Sequence, residues 1–577
     1  MRENSVFITY IVFFGTILFF FTVLVALFAW IIYGTIDGVL GSLAYIIVGL
    51  LNFFPWIIPF VGIPLGILDI LGIFGFGMYS LTLNIAHLSS SWVPLVWYWF
   101  VSIIASLIDI IFMFFIISWL GGLKYRKKES KTNLALINCN IIDGNRDSEV
   151  INNGVILIKN IVEENETQGL IIGVGKAGDI EIPDDYKKVD LKGAYVLPGL
   201  INAHCHLAGS GKPMKIMKLS DNILNIIIKI MKTPLGKKLM MKMMKKNVIN
   251  ALNAGVTTLR SLSDLPYLDV KLRKEIEKGK ILGPRILCSG PGICITGGHG
   301  GMMGYIADSK PEIRKCVRKN LRNEVDCIKI FNTGGVMDAR KVGEAGRPQM
   351  TVEEIETACF EAHRGGLLVA SHCESTEGIR EALQGGVDTI EHGAEITDEL
   401  VPLFKNNPKS LRGYTALIPT ISAGLGLVSF PIEETKITQI VYENEKLIGE
   451  GTIKGVKRAY KEGIRLGIGT DASVPFVPHY DVWKEVKYFL YYTDMTPQEA
   501  IYFATKNTAE IIGVDDITGS IEVGKSADLQ IIAGNPLENI DYLGKVSMVV
   551  KQGSLIEKAK VKKIKNLKEL EPIDYAI

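Results

Sequence analysis

The stretch "VLPGLINAHCHLAG", Val196 to Gly209, sets His204 and His206 one residue apart just after a Pro-Gly turn. On a β-strand the side chains alternate between faces, so the two imidazoles point the same way while Cys205 points opposite. Such a pair is half of a metal site, and taken alone it is more often structural. Four further stretches change that balance. Lys329 in "CIKIFNTGG", His372 in "VASHCES", His392 in "DTIEHG" and Asp471 in "GIGTDAS" each stand at the C-terminal end of a short apolar run. Four imidazoles and a carboxylate suit zinc or a similar divalent ion. Lys329 is the odd member, because an ammonium repels metal ions. Carbamylation by carbon dioxide would turn its tip into an anionic oxygen ligand able to bridge two ions.

These residues need a scaffold that brings distant strand ends together. From Leu200 to about Gly513 short apolar strands such as "VDCIKIF", "GLLVASHC", "VDTIEHG" and "RLGIGTDA" alternate with helical stretches. That alternation predicts an α/β chain with a (β/α)8 barrel, whose chemistry sits at the C-terminal strand ends. Strand-like runs before it (Leu134 to Ile142, Gly154 to Ile161) and after it ("TGSIEVGKSADLQIIAG", "VSMVVKQGSLI") predict one small β-sandwich assembled from both flanks. The expected parts are a sandwich over 131–199 and 516–560, a barrel over 200–515 and a Lys-rich tail over 561–577.

Residues 1–123 differ in kind. Between Val6 and Leu120 there is almost no charge beyond Asp37, Asp69 and Asp109. Val6 to Tyr33 is an uncharged run of 28 residues, about 40 Å of helix against a hydrocarbon core of about 30 Å. With Val39 to Phe76, broken near Pro55 and Pro59, and Val93 to Leu120, it predicts an N-terminal α-helical transmembrane domain of about four spans with the lipid bilayer as partner. The basic run "KYRKKESK", Lys124 to Lys131, predicts a multi-pass membrane protein with its catalytic domain in the cytoplasm. The eight cysteines, none in a CxxC pair, fit a reducing compartment. A net charge of +2 without a long basic face excludes a nucleic-acid footprint, and self-association stays open.

With these residues in view, the chain resembles the metal-dependent amidohydrolase superfamily, in its imidazolonepropionase-like and Xaa-Pro dipeptidase-like branch. "LPGLINAHCHL", "GVTTLRS", "GPRILCSGPGICITGGHG", "IKIFNTGGV", "HCES", "GGVDTIEHG", "GTDA" and "GSIEVGKSADLQI" follow that family's order and spacing over about Leu134 to Ser554. The resemblance implies two divalent ions, Zn2+ in this reading. His204, His206 and Asp471 would hold the more buried ion, His372 and His392 the more exposed one, and carbamylated Lys329 would bridge them. It also implies that a hydroxide shared by the ions is the nucleophile, with Asp471 moving its proton to the leaving amine.

Around this set, His299 in "ITGGHGG", Glu374, which shares a face with His372, and Arg260 in "TTLRS" are the candidate substrate contacts. A structural salt bridge is an equal reading for Arg260, and orientation of a neighbour an equal one for Glu374. His363, on a predicted helix, His87 and His479 stay outside the metal set, and Cys205 and Cys373 are packing residues. Ser261 stands where many relatives have Asp, and Glu374 where many have a second His, which leaves the substrate open. In "KPMKIMKLSDNILNIIIKIMKTPLGKKLMMKMMKKN" the residues from Met240 on are expected to pack the first barrel helix, and Lys212 to Lys232 to form a surface lid or a lipid-facing helix. The expected activity is hydrolysis of an amide or peptide-like C–N bond in a small molecule, of dipeptide or N-acyl amino acid type, by a membrane-anchored enzyme. A deaminase or cyclic-amide hydrolase is the second reading, and a membrane sensor with a non-catalytic barrel the third.

Overall fold

Two kinds of β-structure follow one another in the computed structural model, which describes residues 132–163, 166–213, 221–302 and 304–575. The first begins with β1 (Leu134–Ile141), β2 (Ile151–Glu163), β3 (Glu166–Lys176), β4 (Lys187–Asp190) and β5 (Tyr195–Pro198). The second contains β6 (Leu200–Cys205), β7 (Val256–Ser261), β8 (Arg285–Cys288), β9 (Ile293–Cys294), β10 (Tyr305–Ile306), β11 (Cys327–Phe331), β12 (Leu368–Cys373), β13 (Thr389–His392) and β14 (Ala416–Ile418). The chain then returns to the first kind with β15 (Leu529–Ile532), β16 (Val546–Lys551) and β17 (Ser554–Ile556).

The strands of the second group pair in parallel, β6-β7-β8 in one sheet and β10-β9-β11-β12-β13-β14 in another. They close into a ring. Asp326 N, at the entry to β11, donates to Cys288 O of β8 at 2.7 Å, and on the other side Ile464 to Ala472 bridges β14 to β6. There Leu466 pairs with Leu417, Ala203 N donates to Ile468 O at 2.8 Å, and Thr470 N donates to His204 O at 3.1 Å. "RLGIGTDA" is thus the eighth barrel segment without being a regular strand. Its glycines explain the close approach: a Cβ at Gly469 would stand 2.4 Å from Ile418 Cγ2 and 2.8 Å from His204 Cβ. Helices such as Leu268–Glu277, Lys310–Arg322, Val352–Arg364 and Gln439–Glu462 pack outside the strands. Burial on both faces is why Ile328, Ile330, Val369, Ile390 and Leu417 read as near-continuous apolar runs.

The flanking strands form one continuous eight-stranded sheet in the order β17-β16-β15-β5-β1-β2-β3, with β4 on β1. Two separate sheets were expected. Instead the sheet curls until β3 meets the segment before β15, with Ile171 N donating to Lys525 O and Ala527 N to Gly169 O, both at 2.9 Å. Curling buries Leu136, Ile156, Ile171, Val196, Leu529 and Val550 against one another, which is the core a sandwich would have supplied.

Met244, Val248 and Leu252 on the helix Pro234–Asn253 are buried and Met240 packs beside them, as their spacing predicts. The helix Asp221–Lys232 leaves Ile223, Ile226 and Ile230 exposed. The tail docks on the helix Val482–Tyr492, where the Tyr488 hydroxyl donates to Leu570 O at 3.0 Å and that of Tyr492 to Ile573 O at 2.7 Å.

The four spans expected within residues 1–123, and the basic run after them, lie outside the described residues. Among the described residues no helix is long and apolar enough to cross a membrane. A span needs about 20 predominantly apolar residues. The two longest helices fail on charge: Pro234–Asn253 carries Lys237, Lys238, Lys242, Lys245 and Lys246, and Gln439–Glu462 carries nine charged side chains in 24 residues. The expected multi-pass membrane location with a cytoplasmic catalytic domain is corrected on this finding, and with it the lipid bilayer as partner.

Candidate active site

β6 ends in the histidine pair, and His204 is locked from behind. Its Nδ1–H donates to Glu391 Oε2 at 2.8 Å, which leaves Nε2 unprotonated and 3.6 Å from Asp471 Oδ1. Glu391 is fully buried and also accepts from Arg260 Nη2 at 2.7 Å and from the Thr389 hydroxyl at 2.5 Å. Burial alone would raise the Glu391 carboxyl, but the Arg260 guanidinium and His204 outweigh it and hold it at about 2. A carboxylate behind a metal-binding imidazole fixes its tautomer and raises its basicity. His206 Nε2 lies 3.0 Å from the same Asp471 oxygen. Burial would raise the Asp471 carboxyl, but the neighbouring His206, and after it His204, outweigh that and keep Asp471 far below the usual carboxylate range.

Arg260 therefore does not take the substrate-facing place given to it above. It is 1 % exposed, and its guanidinium is committed to Ala203 O at 2.6 Å, Thr389 Oγ1 at 3.2 Å and Glu391. Ser261 has a structural explanation too. Its hydroxyl donates to Asp264, whose two carboxylate oxygens accept from Leu207 N at 2.8 Å and Ala208 N at 3.1 Å and so pin the turn after His206.

The second group gathers at the ends of β12 and β13. His372 Nε2 lies 3.7 Å from Glu374 Oε1, and Glu374 Oε2 accepts from Val336 N at 3.1 Å. His392 is held through Nδ1 by the Thr420 hydroxyl at 2.7 Å. The rings of His372 and His392 are 4.6 Å apart, and those of His392 and His204 4.9 Å. His299 reaches the same place from its glycine-rich loop: its ring lies 4.4 Å from that of His372, and its Nδ1–H donates to Asp338 Oδ2 at 2.7 Å. Burial first, then neighbouring positive charge, push His372 and His392 well below the ordinary histidine value, so both are neutral imidazoles.

His392 and Asp471 both adopt left-handed backbone, φ 69° and 53°. That conformation is uncommon for residues that carry a side chain, although other non-glycine residues of this chain share it.

Lys329 lies at the centre of the problem its sequence posed. It is 1 % exposed, and its Nζ has no hydrogen-bond partner among the described residues; burial lowers its affinity for a proton. His206 Nδ1, His372 Nε2 and Asp471 Oδ1 are likewise buried without a hydrogen bond. The candidate ligand atoms of His204, His392 and Asp471 lie within 4.8 Å of one another, as do those of His372, Glu374 and His392. Orphaned nitrogens and oxygens at such spacing fit divalent cations. The grouping differs from the expectation: His392 belongs to both clusters, Glu374 offers a carboxylate where only a substrate contact was foreseen, and His206 and Lys329, expected as ligands, are in neither.

His363 pairs with Asp388 at 2.8 Å behind the barrel, His479 Nε2 donates to Gly209 O at 3.1 Å, and Cys205 and Cys373 are buried in the apolar core. Sequence reasoning missed Glu391, although it directly precedes His392, because a buried orienting carboxylate looks like any strand-end acid. It missed Thr420 and Asp338, which have no local signal.

Residues 195–556 match the Amidohydrolase family. Ochratoxinase from Aspergillus niger is 28% identical over 318 residues, which are 50% of this chain and 62% of that protein, so the match leaves more than a third of the relative uncovered. Among solved structures, a protein of Bifidobacterium longum provisionally assigned as a prolidase is 37% identical with a TM-score of 0.66, over 76% of this chain and 98% of that one. A Xaa-Pro dipeptidase with methionine bound in its active site is 28% identical with a TM-score of 0.62, over 74% and 100%.

Proposed function

The chain belongs to the amidohydrolase family, and from that premise we propose that it is a metal-dependent hydrolase of amide or peptide-like C–N bonds in small molecules, of dipeptide or N-acyl amino acid type. The observation that carries the reading is the gathering of the candidate ligand atoms of His204, His392 and Asp471, and of His372, Glu374 and His392, within 4.8 Å of one another at the barrel's strand ends.

In this reading His204, His206 and Asp471 would hold one divalent ion, Zn2+, His372 and His392 would hold a second, and carbamylated Lys329 would supply a further anionic oxygen ligand. When bound, such ions supply Lewis acidity that acidifies a water and polarises the scissile carbonyl. The chain's own groups do the rest. Glu391 and Thr420 hold the two ligand imidazoles in the tautomer that leaves Nε2 free. Asp471, kept ionised, accepts the proton of the attacking water and returns it to the departing amine. His299 and Glu374 flank the space beside His372 and contact the substrate. The Lys329 amine, buried and without a hydrogen-bond partner among the described residues, favours a two-metal hydrolase over a deaminase with one ion.

The test is the purified full chain assayed on dipeptides and N-acyl amino acids, with metal content measured in parallel. About two divalent ions per chain and chelator-sensitive hydrolysis are expected. Full activity with no metal bound would overturn the reading.

A further inference from the structure

Residues 334–346 leave the chain just after β11 and come back to where they left. Gly334 N donates to Arg347 O and Gly346 N to Gly334 O, both at 2.9 Å, so the ends are joined and the loop between them is a compact unit. Its inner side carries the groups that hold both candidate substrate contacts. Val336 N donates to Glu374 Oε2 at 3.1 Å, and Asp338 Oδ2 accepts from His299 Nδ1 at 2.7 Å and from Gly300 N at 3.3 Å. The Gly335 backbone lies against the same imidazole, for a Cβ there would stand 2.5 Å from His299 Cε1. Where this loop sits therefore sets the directions of His299 and Glu374.

From outside, one side chain fixes the loop. Asn444, on the helix Gln439–Glu462, is 1 % exposed. Its Oδ1 accepts from Gly343 N at 3.0 Å and Ala345 N at 3.3 Å, and its Nδ2 donates to Lys341 O at 3.0 Å and to Ile440 O at 2.8 Å. Two N–H groups on one side and two carbonyls on the other admit a single orientation of the amide and use its full bonding capacity. Among the described residues, 339–345 make no other hydrogen bond beyond the loop and Arg347. Apolar support lies lower, where Val336 is buried with Leu427, Ile437 and Val441 and is flanked by Met337 and Ala345. The crown from Arg340 to Gly343 is exposed. Without its clamp such a stretch belongs to the least stable part of a fold and opens readily.

We infer that Asn444 is a positioning residue of the reaction. By clamping the loop 334–346 it fixes Asp338 and Val336, through them His299 and Glu374, and so the grip on the substrate. His204 and His392 are held by Glu391 and Thr420 and not by this loop, so retention of the ions does not depend on it. This inference rests on the reading of His299 and Glu374 as substrate contacts of a hydrolase.

The metal-loaded full chain, assayed on methionyl-proline as a dipeptide of the proposed class, tests it. Asn444→Ala should raise KM about tenfold, on the scale of one net hydrogen bond, with kcat within about threefold of wild type and the bound divalent ions unchanged. Asn444→Asp keeps the two accepted bonds and should recover most of that rise. In a His299→Ala background Asn444→Ala should lose most of its effect on KM, since a residue it acts through is gone. Hydrogen exchange needs no substrate, and in Asn444→Ala the Gly343 and Ala345 amides should exchange at least about tenfold faster. A purely structural residue behaves otherwise: kcat falls with the folded fraction and KM stays. That pattern, or full additivity with His299→Ala, or loss of metal in Asn444→Ala, would sink the clamp while leaving the hydrolase standing. A metal-loaded wild type that turns over no amide at all is a different result, which removes the hydrolase reading and this inference with it.

Discussion

The rings of the candidate ligands His204 and His392 stand 4.9 Å apart, yet the two are supported by different means. Behind His204 the chain places a full charge relay of Glu391 and Arg260, buried and mutually neutralising. Behind His392 it places a single hydroxyl, Thr420, and beside His372 the carboxyl Glu374, which is anchored only by the backbone N–H of Val336. The first side is compensated before any cation or substrate arrives. The second carries a carboxyl, Glu374, that has no Lys or Arg partner among the described residues. One side is thus organised to keep its geometry, and the other to receive something positive.

The largest effects should separate the sides. His204→Ala combined with His206→Ala should abolish retention of both ions and lower activity by at least about a thousandfold, because several kcal/mol of transition-state stabilisation depend on the metal. His372→Ala combined with His392→Ala should leave one ion per chain behind, as metal analysis of the dialysed protein would show. Equal loss in both double variants would break the comparison.

Lys329 belongs to neither side. An ammonium there would face four imidazoles and two cations, so the reading requires it to be carbamylated. Lys329→Ala should lose about a hundredfold or more in activity along with much of its metal, and acetate or propionate should restore part of both by filling the vacated space. Lys329→Glu should keep some activity, since a shorter carboxylate of the same sign can still bridge. Full activity and two ions in Lys329→Ala would put a single-metal mechanism in its place.

Smaller changes should follow the supports rather than the ligands. Glu391→Gln should weaken metal retention by about 10- to 100-fold, the usual worth of an orienting carboxylate behind a ligand histidine. Thr420→Val removes one neutral hydrogen bond and should cost roughly fivefold. Competition with a chromogenic chelator would rank the two, and a Thr420→Val effect as large as that of Glu391→Gln would erase the asymmetry.

What could be read from sequence follows the same division. The candidate ligands were legible because each is a polar residue ending an apolar strand, so His204, His206, Lys329, His372, His392 and Asp471 stand out by type and place. Seven of the barrel's eight segments form regular strands, and the eighth was visible as "RLGIGTDA" although its glycines keep it irregular. The supports were not legible. A structural salt bridge was one of the two readings of Arg260, but nothing local points to its partner, Glu391, 131 residues later and 2.7 Å away in the interior. The curled flank sheet was expected as a sandwich because strand count and alternation do not say whether hydrogen bonds run on between sheets.

The smallest expected effect is on stability, and its sign is fixed by the Glu391 environment. A free glutamate titrates near 4.5, whereas in the folded chain Arg260 and His204 hold Glu391 at about 2. Between those values the unfolded chain binds the proton and the folded one does not, so the contribution of Glu391 is complete above about pH 4.5 and lost as the pH falls toward 2. Glu391→Gln mimics the protonated acid at every pH and leaves Arg260 buried without its counter-charge. In metal-free protein the wild type should therefore melt several degrees above Glu391→Gln at neutral pH, and the gap should narrow steadily below pH 4.5. Thr420→Val changes no titrating group, so its Tm should run parallel to the wild type through the same range. A constant gap for Glu391→Gln would mean that the charge pair behind His204 is not what distinguishes the two sides.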